Sequence, residues 1–265
     1  MKLLVDIGNS TVVVAIVNGE GDICHTWRFK TLKEESVSFF RNELQNGLNK
    51  YQGKLTNQKR TAPMEITSAV ISSVVPEVSD DLSQAVIDVL GITPHFFTIE
   101  DARKVISIDV ESPSQLGKDR VADAIGAACC YGVPAIVFDM GTATTVGVVN
   151  EKKCFLGGMI MPGVKTSLKA LSARASQLPS ISIGQPQNII GRNTLECMQS
   201  GTVFGTASMI DGIIDRIAPM FDTPVHIIVT GGMAKHIVPS CNHEMIMDEY
   251  LQFKGLNFAC EGLDK

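Results

Sequence analysis

Val5-Asp6-Ile7-Gly8-Asn9-Ser10-Thr11 and Phe138-Asp139-Met140-Gly141-Thr142-Ala143-Thr144-Thr145 are the two stretches that decide the fold. Each ends an apolar run on an aspartate, places a glycine two residues later, and continues through small polar residues toward a β-branched run. Asp6 to Asp139 and Gly8 to Gly141 both span 133 positions. Internal self-similarity of this kind marks a duplicated architecture.

The sequence around each copy reads the same way. In the first, Lys2–Asp6 and Thr11–Val17 have strand composition, Asn18-Gly19-Glu20-Gly21-Asp22 is a turn cluster, and Ile23–Phe29 resumes the strand pattern. Val37, Phe40, Leu44 and Leu48 predict a helix over about residues 33–50, followed by a polar loop over Tyr51–Pro63. A strand over 66–75, a helix over 76–90 and a strand over 95–99 complete this half. In the second, Ala135–Asp139, Thr144–Val149 and Cys154–Met161 predict three strands. Helices are expected over about 164–175 and 194–217, a strand over 225–230, a helix opened by Gly231-Gly232, and a last helix over 254–262. The expected fold is α/β, with domains at residues 1–115 and 116–265.

Composition narrows the function. Of 265 residues, 45% are hydrophobic and 19% charged, with 28 acidic against 23 basic side chains, so the chain carries a net charge of −5. That excludes a disordered chain and gives no electrostatic footprint for nucleic acid or anionic lipid. No apolar run approaches the length of a membrane span. After Lys2 only three apolar residues precede Asp6, too few for an export signal. The seven cysteines are an odd number without a CxxC pair and read as buried small hydrophobes in a reducing compartment. The expected location is the cytoplasm. Cys241 and His243 alone are a weak metal signal.

The repeated motif suits a nucleotide. Phosphate binding needs backbone amides turned toward an anion, small residues that let the backbone approach, and hydroxyl donors. Gly8, Asn9, Ser10 and Thr11 offer these in one half, and Gly141, Thr142, Thr144 and Thr145 in the other. The aspartates suit cations that accompany phosphates, because hard cations take oxygen ligands. A tight polar hairpin explains either motif alone; two copies at equivalent places favour the nucleotide. Thr230-Gly231-Gly232 has the strand-to-helix placement expected under a base or sugar. Gly117-Lys118-Asp119-Arg120 lies between the halves. There Asp119 is either a base for an alcohol or the start of a helix, and Arg120 either a carboxylate fork or a surface residue.

Taken together, these motifs resemble the acetate kinase, sugar kinase, Hsp70 and actin superfamily. More narrowly, Asp6-Ile7-Gly8-Asn9-Ser10, Gly117-Lys118-Asp119-Arg120, Asp139-Met140-Gly141-Thr142-Ala143-Thr144-Thr145, Gly157-Gly158-x-Ile160-x-Pro162-Gly163 and Gly191-Arg192-Asn193-Thr194 occur in the order of type III pantothenate kinases. The resemblance covers nearly the whole chain. It implies two ribonuclease H-like (actin-like ATPase) domains with ATP in the cleft between them, and transfer of the γ-phosphate to pantothenate's terminal hydroxyl, the first step toward coenzyme A. On that reading Asp119 is the general base, and Gly117, Lys118, Asp119, Arg120 and Thr194 meet pantothenate. ATP is met by Asp6, Ile7, Gly8, Asn9, Ser10, Thr11, Val12, Val13 and Thr142. Asp6 handles the Mg²⁺–nucleotide, and Asp139 holds a monovalent cation, K⁺ or NH₄⁺. The resemblance further implies a homodimer. Rival expectations are a non-catalytic, nucleotide-dependent transcription accessory protein and a kinase of another small alcohol. Two departures bear on the substrate wall: Val110 stands where the family often has tyrosine, and Lys118 where a small residue is common.

Overall fold

The computed structural model describes residues 1–57 and 65–262. The chain runs β1 (Lys2–Ile7), β2 (Thr11–Val17), β3 (Ile23–Lys30), α1 (Val37–Asn57), β4 (Ser68–Ser73), α2 (Pro76–Leu90), β5 (His95–Phe96), α3 (Ile99–Arg103), β6 (Ser107–Ile108) and α4 (Lys118–Cys130). It continues through β7 (Ala135–Met140), β8 (Ala143–Val149), β9 (Cys154–Pro162), α5 (Val164–Arg174), α6 (Thr194–Ile217), β10 (His226–Thr230), α7 (Ala234–Ile237), β11 (Ile246–Met247) and α8 (Leu251–Ala259). The helix α1 continues to Asn57, into the segment expected as a loop; the rest of that expected loop, up to residue 63, lies outside the described residues. The strand expected over 95–99 stops at Phe96 because Thr98 caps α3, accepting the Asp101 N–H while the Asp101 side chain accepts that of Thr98.

Packing divides the chain into two units: residues 1–105, 112–126 and 252–265 form one, and residues 106–111 and 127–251 the other. The first holds a five-stranded sheet in the order β3-β2-β1-β4-β5, and the second a six-stranded sheet, β11-β10-β7-β8-β9-β6. Apart from β6, both have one topology: three antiparallel strands, then two parallel ones on the other side of the first. This is the ribonuclease H-like order, present twice.

The central strands are apolar because both faces are covered. Leu3, Val5 and Ile7 of β1 pack with Val12, Val14 and Ile16 of β2 and with Phe40, Leu44 and Leu48 of α1. In the other unit Ile136, Phe138 and Met140 of β7 pack with Val146 and Val148 of β8 and with Val203, Ala207 and Ile210 of α6. Burying each such Leu, Ile or Phe contributes roughly 1.5–3 kcal/mol. Their main consequence here is register, since a one-residue slip would turn the core-facing side chains outward. The helix α8 belongs to the first unit from Gln252 onward and packs directly on α4: a Cβ at Gly255 would lie 1.8 Å from the Ala122 carbonyl oxygen. Only glycine permits that approach. Of the cysteines, Cys260 is buried, whereas Cys24, Cys130 and Cys197 are exposed, so the expectation of buried small hydrophobes holds for a minority. Among the described residues no helix is long and apolar enough to cross a membrane.

Candidate active site

The aspartate of each motif stands one residue before the end of its strand, where the sheet stops and the chain turns. In the first unit Asp6 pairs across to Val13 of β2 and Ser72 of β4. The Gly8 N–H closes the hairpin on the Thr11 carbonyl at 3.1 Å, leaving Asn9 and Ser10 exposed at its tip. The turn is held from beneath: the Thr31 N–H donates to the Ser10 carbonyl, and the Thr31 hydroxyl to the Gly8 carbonyl at 2.6 Å. The glycine's own amide is therefore used by the hairpin, and the backbone offered to an anion is that of the exposed tip. Thr11 and Val13 are half-buried, while Ile7 and Val12 are wholly buried. Ile7 and Val12 are covered, main chain included, so among these four it is Thr11 and Val13 that are open beside the tip. One contact the sequence did not reveal completes this corner: Gln252 Nε2 donates to Asp6 Oδ1 at 2.7 Å.

In the second unit Asp139 pairs with Thr145 of β8 and Thr230 of β10. The Gly141 N–H closes the turn on the Ala143 carbonyl at 3.0 Å. This loop is one residue shorter than its counterpart, so Ala143 takes the place of Thr11 and Thr144 that of Val12. Thr144 is accordingly 1% exposed and its hydroxyl is buried in the core; it is not among the residues open to a nucleotide. Thr142 is exposed. Its carbonyl accepts the Gly163 N–H at 3.2 Å and the Thr166 hydroxyl at 2.7 Å, so it is engaged within the protein. Gly231, with φ +88°, lies against the carboxylate: a Cβ there would come within 2.5 Å of Asp139 Oδ1.

Asp119 lies in the first turn of α4, in the same unit as Asp6. Its Oδ1 accepts the Arg120 N–H at 2.8 Å, and Gly117 leaves room for it, because a Cβ at Gly117 would stand 2.5 Å away. Arg120 is partly buried, which lowers its pKa against the opposing pull of Asp119. An arginine starts so far above neutrality that the guanidinium keeps its charge. Lys118 is partly exposed beside them, and Val110 belongs to the other unit, near Gly157.

Thr194 opens α6 and is exposed. Asn193 caps the helix by accepting the Glu196 N–H at 3.0 Å, and Glu196 accepts the Arg192 N–H at 2.8 Å. Thr194 also lines a groove of about 780 Å³ within the second unit, walled by Met161, Leu168, Leu171 and Met198. Cys241 and His243 do not form a metal pair: the Cys241 thiol is pushed up to about 12 by burial and by Asp211, and His243 pairs with Asp215 at 2.8 Å. His95, Asp101 and Cys260 come together instead. There the Asp101 carboxylate is already filled by Thr98, His95 and Lys104, and burial pushes the Cys260 thiol up to about 12, which fits a structural pin better than a metal centre.

Comparison with known proteins identifies the family. Residues 2–216 match the profile of the type III pantothenate kinase family. The chain belongs to that family. A type III pantothenate kinase of Halalkalibacterium halodurans is 34% identical over 256 residues, covering 97% of each chain. One from a Sulfurihydrogenibium species is 33% identical over 258 residues, covering 97% of this chain and 98% of its own. Two solved structures share the fold. A Campylobacter jejuni protein described as a candidate Baf family transcriptional activator has TM-score 0.57 and 17% identity, covering 97% of this chain and 96% of that one. An activator of 2-hydroxyisocaproyl-CoA dehydratase from Clostridium difficile, with bound ADPNP, has TM-score 0.52 and 12% identity, covering 97% and 92%.

Proposed function

We propose that this protein transfers the γ-phosphoryl group of ATP to the terminal hydroxyl of pantothenate, giving 4′-phosphopantothenate, the first step of coenzyme A biosynthesis. The observation that carries the reading is the nearly full-length family match, in a chain that retains both aspartate hairpins and places Asp119 at the head of a helix. A regulator would need none of these carboxylates for chemistry, and the likeness to a transcriptional activator rests on fold alone.

The residues divide the work as follows. The exposed backbone of Asn9 and Ser10, with Thr11, cradles phosphate oxygens, and Gly8 keeps the tip close to the strand end. Val13 is half-buried beside that tip, and wholly buried Ile7 and Val12 hold the hairpin from within; in the second unit Thr142 is the exposed residue offered to a nucleotide. Asp6 is a hard oxygen donor, partly exposed beside that tip, which fits the Mg²⁺ that accompanies ATP. A bound Mg²⁺ would neutralise phosphate charge that builds during transfer. Asp139 and the Thr142 hydroxyl form a carboxylate-plus-neutral-oxygen set suited to a large monovalent cation, K⁺ or NH₄⁺; with the Thr142 carbonyl engaged, the side chains carry this role.

A primary alcohol is a poor nucleophile and must shed its proton as it attacks. Asp119 accepts it, with its carboxylate held in place by the Arg120 N–H. The Arg120 guanidinium pairs with pantothenate's own carboxylate in a planar fork. Gly117 and Lys118 shape that pocket, and Thr194 offers a hydroxyl at the start of α6. The enzyme works as a cytoplasmic homodimer, a reading supported by its free cysteines and by the large apolar side chains exposed on the second unit: Ile160 at 69%, Ile190 at 78% and Met220 at 71%.

The test is a phosphate-transfer assay with ATP over a panel of small alcohols that includes pantothenate. Phosphopantothenate is the expected product; transfer to another alcohol, or to none, overturns the reading. Sedimentation at micromolar concentration gives twice 28.5 kDa if the chain is a dimer.

A further inference from the structure

We propose that Gln252, on the C-terminal helix, is a positioning residue that sets the Asp6 carboxylate for the metal-bound nucleotide. The proposal rests on the reading of Asp6 given above. Three observations carry it.

First, the bond itself: Gln252 Nε2 donates to Asp6 Oδ1 at 2.7 Å across 246 residues of sequence. A carboxylate at a strand end can rotate about its side-chain bonds, and a donor on one oxygen selects the orientation of the other. Hydrogen bonds to ionised acceptors are about twice as strong as neutral ones. Second, the donor is mounted rigidly. Leu251, Phe253, Leu256 and Ala259 of α8 are buried, and Gly255 brings the helix backbone against Ala122 of α4. At the far end of α8, buried Lys2 of β1 donates to the Cys260 carbonyl at 3.2 Å and to Asn257 Oδ1 at 3.3 Å. The strand that carries Asp6 is thus tied to α8 at both ends. Third, the two copies surround the carboxylate differently: in the second, the Gly231 backbone packs on Asp139. In the first copy the equivalent position is Ser73, whose hydroxyl accepts the Val75 N–H at 3.0 Å and faces its own turn. There Gln252 meets the carboxylate. This residue lies beyond the stretch matched by the family profile, which ends at residue 216.

The test uses the full chain and equilibrium binding of ATP, followed by calorimetry as Mg²⁺ is varied, with no pantothenate present. Gln252→Ala raises the Mg²⁺ concentration needed for half-maximal binding by roughly ten- to a hundredfold, the usual cost of losing a partner behind a metal-facing group. Gln252→Met, of similar length but without the donor or a new charge, does the same, which separates the hydrogen bond from packing. Thermal melts of both variants stay close to the parent. Placed on Asp6→Ala, the Gln252 substitution has no further effect, because its action runs through Asp6. Additive losses in the double variant, or an unchanged Mg²⁺ requirement in both single variants, overturn the proposal. If Asp6→Ala shifts the requirement and Gln252→Ala does not, the positioning role alone fails. If Asp6→Ala is silent, the assignment of Asp6 fails with it, whatever the outcome of the pantothenate assay.

Discussion

The strands of the hairpins β1–β2 and β7–β8 have the same burial sequence residue for residue, yet the two copies hold their aspartates by different means. Both close on the glycine amide. In both, the residue after the third strand, Thr31 or Gly163, donates to the turn, and Val74 or Met233 donates to the last residue of the first strand. Asp6, however, is oriented by a side chain from a distant helix, whereas Asp139 lies against the Gly231 backbone. The frame is shared because sheet pairing requires it. The carboxylate's surroundings are not part of that requirement, and each copy has been free to change them. A duplicated fold can therefore put the same residue to two uses.

The largest effect comes from the residue that neither hairpin contains. Asp119→Asn keeps the size of the side chain, and an amide oxygen can still accept the Arg120 N–H, but the group no longer takes a proton. Turnover falls by about 10²–10⁴-fold, while ATP binding and thermal stability stay near the parent. Parallel loss of stability and activity would show that Asp119 only starts the helix. A further test sets the copies against each other. Gly231→Ser places a Cβ 2.5 Å from Asp139 Oδ1 at a φ of +88°, and costs roughly 1–3 kcal/mol for the backbone conformation with the clash in addition. The reciprocal Ser73→Gly loses the hydroxyl's bonds to Val75 and Ser79 and adds the glycine's backbone freedom at a strand end, together about 1–2 kcal/mol with no clash. Urea unfolding of both variants measures the difference; equal losses would mean that the two positions are not held differently.

The duplication was legible because the pattern that encodes it is local. An apolar run ending in Asp-x-Gly, followed by β-branched residues, specifies a buried strand, a turn and a return strand, and both hairpins are where the sequence places them. The offset of 133 was legible through the glycine but not beyond it. The second turn is one residue shorter, so Thr144 falls on the core position of Val12, and its hydroxyl, read as a phosphate donor, is buried. Counting residues cannot reveal a deletion inside a polar turn, since either length closes a hairpin. Also hidden was how far the repeat extends. The Phe97 N–H donates to Ile71 and the Asp248 N–H to Val229 at matching points of the two sheets, but the helices that follow part company: α3 stays in the unit of its own sheet, while α8 joins the first unit from Gln252 onward. Their sequences share no pattern, because each answers to different neighbours. Gln252 was invisible for the same reason: nothing in Leu251-Gln252-Phe253 marks a glutamine that meets a residue 246 positions away.

The two aspartates should also differ in the ion they answer to. Asp6→Asn raises the Mg²⁺ requirement of turnover and leaves the response to K⁺ intact. Asp139→Ala leaves the Mg²⁺ requirement in place and removes activation by K⁺ or NH₄⁺, a change of roughly tenfold in rate. Rates measured in Na⁺ and K⁺ at fixed ionic strength distinguish them. Identical rates in the two salts for the parent protein would refute the monovalent site.

The smallest effect concerns the segments that follow the fifth strand of each sheet. After β11, Asp248 accepts the Tyr131 hydroxyl at 2.8 Å and the Tyr250 N–H at 3.0 Å. After β5, Asp101 is instead an ion-paired cap. Burial raises its pKa, but Lys104, His95 and Thr98 outweigh burial and hold the carboxyl well below the usual range. A carboxyl depressed in the folded state stabilises it wherever the unfolded chain's carboxyl would also be ionised, above about pH 4. That contribution declines as pH falls through the interval between the unfolded and folded values. Asp101→Asn keeps the shape of the cap but not the charge. Near neutrality it should melt about 2–4 °C below the parent, the shift expected from a loss of order 1 kcal/mol in a chain of this size. Acidifying below about pH 4 should narrow the gap step by step, because the unfolded chain then takes up a proton that the folded parent still refuses, and the gap closes only once the folded carboxyl is itself protonated, well below the usual carboxylate range. A gap that does not narrow between neutrality and about pH 2 would show that hydrogen-bond geometry, not ionisation, is what Asp101 contributes. The two segments would then be pinned by the same physics after all.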